Sequence, residues 1–310
     1  MSAEKLTLPA FAKINLGLRV RGRREDGYHE ISTVFQTVSL HDSLAFQTLH
    51  DARIELACSD PDIPTDESNL VVRAAEALRE RYGVRAGASV GLEKVIPAGG
   101  GLGGGSSDAA VTLLALTGLW GIGADARELA EIGARLGADV PFFLAGGTAL
   151  GTGTGTEIEP LEDAPKMHLV VVTPGVKVST AEAYKALGAR ALTKVGTAAN
   201  LSVSRAEADF SVSHSGGWSN DFEAVVVRLH PEVGRARDAL KSVGAGRALL
   251  SGSGSSVFGV FESKGSAEHA GTGLKAERGW RVFACETLTR AEYLAALGRS
   301  AAVLRPVRGA

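Results

Sequence analysis

The chain has 310 residues, 45% of them hydrophobic, and a formal net charge of −2, which suits one large or two medium domains around a sizeable core. A pI of about 6.4 leaves no global basic footprint for nucleic acid, and no apolar run reaches the ~20 residues a membrane-crossing helix needs. Two distant cysteines, Cys58 and Cys285, lack CxxC spacing and are expected as reduced, buried thiols of a cytoplasmic protein. "MSAEKLTLPAFAKINL" has no continuous apolar core, so it does not read as a signal peptide.

Residues 5 to 100 read mostly as strands. "AKINLGLRV" alternates, with Ala12, Ile14, Leu16, Leu18 and Val20 on one face and Lys13, Asn15, Gly17 and Arg19 on the other. Arg19, Arg21, Arg23 and Arg24 then form the densest basic cluster, beside Glu25 and Asp26, which reads as a solvated loop or as mild steering of anionic substrates. "ISTVFQTVSL", "SLAFQTL" and "ASVGLEKVI" continue the β pattern, the last with Val90, Leu92 and Ile96 on one side. Between them "SNLVVRAAEALRERYG" has a helical period, capped by Ser68 or Asn69 and stopped at Gly83. After a glycine stretch, "SSDAAVTLLALTGLWG" and "DARELAEIGARLG" are helices ending in glycine. "GGTALGTGTGTEIEP" is a strand and turn.

A second block begins after a boundary placed at 160–166, with a strand at 168–173 and a helix near 180–188. A polar stretch follows from 193 to 217, then the helix "NDFEAVVVRLHPEV" with Asn220 and Asp221 read as its cap, and a helix near 233–243. A strand after "SGSGSS", a helix near 266–277 and the strand "WRVFACE" complete it.

"IPAGGGLGGGSSDAA" (96–110) is strand, glycine turn, helix, the arrangement that cradles phosphate. First-turn N–H groups have no partner within the helix, the dipole adds partial positive charge, and glycine lets the backbone approach closely. Ser106 and Ser107 are expected to supply a cap and hydroxyl donors. The spacing Gly99-x-Gly101-x-x-Gly104 also fits the dinucleotide fingerprint, but Asp125, at the right distance for its acid, opens a helix. A Walker loop is excluded, since Ser106 stands where its lysine belongs. Glycines serving only tight helix–strand packing are a further reading.

The proline-first loop, "AKINLGLRVRGRREDGYHEISTVFQ" (12–36), "DESNLVVRAA" (66–75), "LGADVPFFL" (136–144), "SNDFE" (219–223) and "LLSGSGSSVF" (249–258) together resemble the GHMP kinases along nearly the whole chain. "DGYH" and the glycine-expanded loop resemble the branch whose acceptor alcohol carries a cytidine diphosphate group and feeds isoprenoid synthesis by the non-mevalonate route. That resemblance implies a two-domain α+β kinase. Residues 1–163 would form an N-terminal ATP-binding domain with a mixed sheet and helices, and 164–310 a ferredoxin-like α/β sandwich. The active site would lie in the cleft between them, using ATP and Mg²⁺ in a monomer or homodimer. Another small-alcohol kinase, an NAD-binding oxidoreductase and an inactive nucleotide sensor are the rival readings.

By the same resemblance Asp139 is the catalytic aspartate and Lys13 its partner, while Asn15 contacts the reacting hydroxyl. On the residues alone, Asp139 reads equally as a cap before Pro141, and Lys13 and Asn15 as a solvent-facing strand edge. Pro97, Ala98, Gly99, Gly100, Gly101, Leu102, Gly103, Gly104, Gly105, Ser106 and Ser107 would hold the ATP phosphates, with Ser107 near Mg²⁺. Asn69 borders the adenosine or caps a helix. Tyr28 and His29 form one side of a cytosine pocket, and Thr180 and Tyr184 the other, with two aromatics sandwiching the base. Asp108, where some family members have asparagine, is expected to face outward or to act through the metal. The 251–256 loop is expected to support the nucleotide loop.

Overall fold

The chain opens with two long strands, β1 (Lys5–Arg23) and β2 (His29–Leu49), paired antiparallel around a turn at 24–28. This is a computed structural model, and it describes residues 5–188, 205 and 217–304. The polar stretch read at 193–217 lies almost wholly outside the described residues. What the sequence shows as two β segments after residue 30 is one continuous strand, because β2 pairs with β1 on one side and with two shorter strands on the other. These are β4 (Gly87–Glu93) and β5 (Thr148–Thr152). β3 (Ile54–Cys58) adds parallel to β4, and β6 (Glu157–Pro160) adds antiparallel to β5, completing six strands.

Helices cover one face of this sheet. α1 (Leu70–Tyr82) starts at Asn69, whose side chain accepts from the Val71 N–H, and ends at Gly83 in the left-handed region (φ 64°), as its pattern predicts. α2 (Gly104–Leu119) is buried at every position from Ser107 to Thr117, as expected of a helix apolar all round. α3 (Ala126–Leu136) begins in a capping box made by Asp125 and Glu128. That geometry spends the Asp125 carboxylate on the Glu128 N–H and removes it as a ribose acid. α4 (Val140–Ala145) follows, with proline in its first turn.

The second sheet runs β10-β7-β9-β8, all antiparallel: β7 (His168–Thr173), β8 (Arg247–Leu250), β9 (Val257–Phe261) and β10 (Arg281–Glu286). In chain order this is 4-1-3-2, the ferredoxin-like arrangement. Between its strands lie α5 (Thr180–Leu187), α6 (Glu223–Leu229), α7 (Pro231–Ser242) and α8 (Lys264–Leu274). The single helix expected over 220–233 is two helices, because Pro231 cannot continue the ladder from Leu229 and instead opens α7 at its first turn. β8 carries no alternating signal and is visible only in the structure.

β7 shows how the sheets face each other. Leu169 and Val171 enter a core shared with Ile14, Leu16, Val34 and Val38 of the first sheet, while Val170 and Val172 pack under the helices of the second. A strand covered on both faces reads as a continuous apolar run, as "HLVVV" does. Ile96 also joins the inter-sheet core, whereas Val90 and Leu92 pack under α1 and α2. β4 ends at Glu93, so the common face expected for these three residues is broken there. α9 (Arg290–Ala296) returns to the first unit: Tyr293 is fully buried among its core residues and donates to the Phe143 carbonyl. Cys58 and Cys285 are free and half-buried rather than fully buried.

Candidate active site

β1 places the first two functional side chains. Ala12 and Ile14 face the second sheet, so Lys13 and Asn15 point the opposite way, toward α2 and α4. That polar face is not a solvent edge: Lys13 is 3% and Asn15 1% exposed. A register shift between Asn15 and Gly17 breaks the strict alternation there, as β-bulges beside functional sites do. Lys13 Nζ donates to Asn15 Oδ1 at 2.8 Å, Asn15 Nδ2 donates to Thr33 Oγ1 at 2.7 Å, and Thr33 Oγ1 donates to the Gly17 carbonyl. Thr33, which no sequence pattern singles out, thereby fixes the Asn15 amide and, through it, the ammonium.

Asp139 precedes α4 at its cap position, but its side chain makes no capping hydrogen bond. The carboxylate lies 3.5 Å from Lys13 Nζ and is 31% exposed, whereas the lysine side chain is 4% exposed. A buried ammonium therefore faces a carboxylate open to a cleft of about 1110 Å³. The same cleft is lined by Asn15, Tyr28, His29, Gly101, Ser106, Thr180 and Tyr184. Arg24, from the basic cluster, also lines it and is held by Glu30 and Asp26.

The glycine loop opens α2 without a side-chain cap: Gly103 holds the cap position at φ 72°. Ser106 and Ser107 lie inside the helix, so the expected serine cap is replaced by glycine and the first amides keep their free hydrogens. Gly99, Gly101 and Gly103 have φ of 71°, 80° and 72°, while Gly100 between them does not, an alternation that turns successive N–H groups to one side. Ala98, Gly99 and Gly105 are exposed, and Pro97, Gly100, Leu102 and Gly104 are buried. The Leu102 carbonyl accepts from the Lys13 N–H, tying the loop to the strand that bears the ammonium. Ser107 Oγ is buried and without a hydrogen-bond partner.

The 251–256 loop packs on the glycine loop, as the family resemblance implies. Ser251 Oγ donates to the Gly101 carbonyl at 3.0 Å, and the Ser256 N–H to the Gly100 carbonyl at 2.9 Å. Asn220, read from sequence as a helix cap, instead clamps this loop, donating to the carbonyls of Leu250 and Gly252 while accepting from the Phe222 N–H. Its neighbour Asp221 accepts from the Val20 N–H and pairs with Arg19.

On the aromatic side the structure stacks His29, not Tyr28, on Tyr184, with ring centroids 4.4 Å apart. Tyr184 meets Phe222 edge-on at 4.7 Å, and Tyr28 stands at the hairpin tip, 67% exposed. Burial, with the charge of Asp139 added, pushes the Tyr184 phenol up to about 12; burial and then Arg23 hold the His29 imidazole below its usual range. Thr180 shares a hydrogen bond with Ser253 at 3.0 Å, and both line the cleft. Asn69 spends its amide on the Val71 N–H and the Pro64 carbonyl, which is the cap half of its two readings.

Asp108 does not face outward. It is 3% exposed, with its carboxylate 2.8 Å from Lys94 Nζ, and Lys94 also meets Asp42. Burial pushes the Asp108 carboxyl up to about 7, against the pull of Lys94 and with a further push from Asp42. Desolvation works against the Lys94 ammonium, but the charges of Asp108 and Asp42 outweigh it and leave it above its usual range.

Family models described as the GHMP kinases N-terminal domain and the GHMP kinases C-terminal match residues 69–147 and 206–278. The chain belongs to the GHMP kinase family. It is 44% identical, over 88% of its length and 95% of the relative's, to the 4-diphosphocytidyl-2-C-methyl-D-erythritol kinase of Prosthecochloris aestuarii. A crystal structure of 4-(cytidine 5'-diphospho)-2C-methyl-D-erythritol kinase superposes with a TM-score of 0.75 at 36% identity, covering 91% of this chain and 99% of that one. Homoserine kinase from Cytophaga hutchinsonii shares the fold alone, at 19% identity and a TM-score of 0.68 over 93% and 96% of the two chains. The two-domain α+β architecture implied by the motifs is the one observed.

Proposed function

We propose that the cleft transfers the γ-phosphoryl group of ATP to the 2-hydroxyl of 4-diphosphocytidyl-2-C-methyl-D-erythritol, a step of isoprenoid precursor synthesis by the non-mevalonate route. The observation that carries the reading is the Lys13–Asp139 pair at 3.5 Å, set beside an uncapped glycine loop. Asp139 accepts the proton of the attacking alcohol as the O–P bond forms. Lys13, fixed by Asn15 and Thr33, orients the carboxylate and offsets charge on the transferring group. In a loose transition state most of the catalysis is positioning and charge stabilisation, which suits a buried ammonium held by Asn15 and facing Asp139. The loop amides from Gly99 to Gly105 and the Ser106 hydroxyl hold the phosphates.

Among the described residues no cluster of three or more His, Cys, Asp or Glu side chains is placed to hold a metal. Mg²⁺ in phosphoryl-transfer sites is bound largely by the phosphates and one or two protein oxygens, and the unpartnered Ser107 hydroxyl fits as one of them. The metal would neutralise charge building on the phosphates.

Tyr28, His29, Thr180 and Tyr184 line the same cleft and take the cytidine diphosphate group, with Tyr28 offering its exposed ring to the base. The reading carries two units, 1–163 and 164–310, with residues 290–304 folded back on the first, and a cytoplasmic location; no described helix is long and apolar enough to cross a membrane. A coupled ADP-release assay over a panel of alcohols tests it. Turnover is expected with the cytidylyl substrate and not with mevalonate or homoserine, and the opposite preference overturns the assignment. Asp139→Asn is expected to lower kcat by about 10²–10⁴-fold with nucleotide affinity unchanged; near wild-type kcat removes Asp139 from the mechanism.

A further inference from the structure

We propose that Lys94 and Asp108 form a clip that closes the two ends of the glycine loop and so positions it for the nucleotide; this rests on the reading that the loop holds ATP. Lys94 lies just after β4, on the chain entering the loop, and Asp108 lies in the second turn of α2, on the chain leaving it. Their ion pair, 2.8 Å long with both side chains 4% exposed, joins the ends directly. Asp42 of β2 anchors the entering side: one carboxylate oxygen accepts the N–H groups of Val95 and Ile96, at 2.6 and 2.7 Å, and the other meets Lys94 Nζ. Arg281 of β10 donates to the Val95 carbonyl at 2.7 Å and grips the same segment from the second sheet.

Two buried carboxylates around one ammonium are an expensive way to hold a fold together, since desolvation offsets much of the attraction. Well-packed apolar residues would serve stability as well. What the charges add is a fixed separation between loop entry and exit, and the nearest thing to that pair is the loop itself. A Cβ built on Gly104 would stand 2.9 Å from Lys94 Nζ, so the ammonium sits directly beneath the first turn of α2. Pre-setting that turn reduces the ordering cost of binding a polyphosphate.

Lys94 and Asp108 are positioning residues, and the test separates positioning from folding. Binding of the non-hydrolysable analogue AMP-PNP with Mg²⁺ is measured by calorimetry for the wild type, Asp108→Ala and Asp108→Asn, alongside the KM for the alcohol and the melting temperature. Asp108→Ala leaves Lys94 paired with Asp42, so the fold is retained. It is expected to raise the analogue's Kd by about tenfold, the scale of one charge-assisted hydrogen bond, with the KM for the alcohol unmoved. Asp108→Asn keeps a carbonyl oxygen for Lys94 and is expected to recover most of the affinity. An unchanged Kd in a folded Asp108→Ala variant, or equal losses in both variants, overturns the clip. Failure of the wild type to bind the analogue would instead sink the nucleotide-loop reading beneath it.

Discussion

Gly101→Ala puts a single methyl group between two loops that touch through their backbones. Gly101 sits at φ 80°, and its added Cβ would fall far inside contact with the Ser251 carbonyl oxygen and 3.0 Å from the Gly254 nitrogen. Both obstacles are backbone, so no side-chain rotation relieves them. The left-handed conformation alone costs an alanine about 1–2 kcal/mol. Prying the loops apart also weakens the Ser251–Gly101 and Ser256–Gly100 hydrogen bonds, each contributing about 0.5–1.5 kcal/mol. Together these place the loss at about 2–5 kcal/mol, or a melting temperature lower by on the order of 10 °C. Gly105→Ala is the matched control: its φ is not positive, its Cβ would meet nothing closer than Leu70 Cδ1 at 3.7 Å, and it lies in the first turn of α2. There alanine is expected to be neutral or stabilising by up to about 1 kcal/mol. Urea denaturation of the two variants, with Mg²⁺·AMP-PNP affinity measured in parallel, checks the pair. A Gly101→Ala protein as stable as Gly105→Ala would refute the view that backbone contact between the loops holds the nucleotide loop in shape.

Tyr28→Ala is expected to raise the KM for the cytidylyl substrate by about tenfold, the scale of one base–aromatic stack, with kcat and the KM for ATP little changed. Tyr28→Phe, which keeps the ring, should match the wild type in the same steady-state assay, and equal effects of the two would remove stacking from the account. Stability should also depend on pH through Asp108. Its folded carboxyl is pushed up to about 7 from an ordinary value of 3.8, so between those values the folded chain binds more protons than the unfolded one, and stability falls as pH rises through that window. Asp108→Asn removes this dependence. Urea denaturation at about pH 5 and about pH 8 should therefore show the variant gaining on the wild type as pH rises, and a constant difference between them would count against the raised carboxyl.

Much of the architecture was legible because its signals are local. Asn69 and Gly83 mark the ends of α1, Asp125 opens α3, and the apolar run at 168–173 is a strand, all from short-range chemistry that needs no distant partner. The glycine stretch announced a loop that opens a helix, although the serine cap expected there is a glycine, and the family resemblance pointed to a carboxylate at Asp139 with Lys13 beside it. The structure brings those two within 3.5 Å although 126 positions separate them in the chain (139 less 13).

Only the tertiary structure could decide where polar side chains spend their hydrogen bonds. Asn220 looked like a cap and is a clamp on a loop 30 residues further on. Asp108 looked like a surface carboxylate in a helix's early turns and is buried against Lys94, and His29 rather than Tyr28 lies against Tyr184. An isolated polar residue carries the same local signal whether it meets water or a buried partner. Periodicity and capping follow from the backbone of a few consecutive residues, so the sequence determines them by itself; the partner of a buried charge depends on which distant strand or helix the fold sets opposite it.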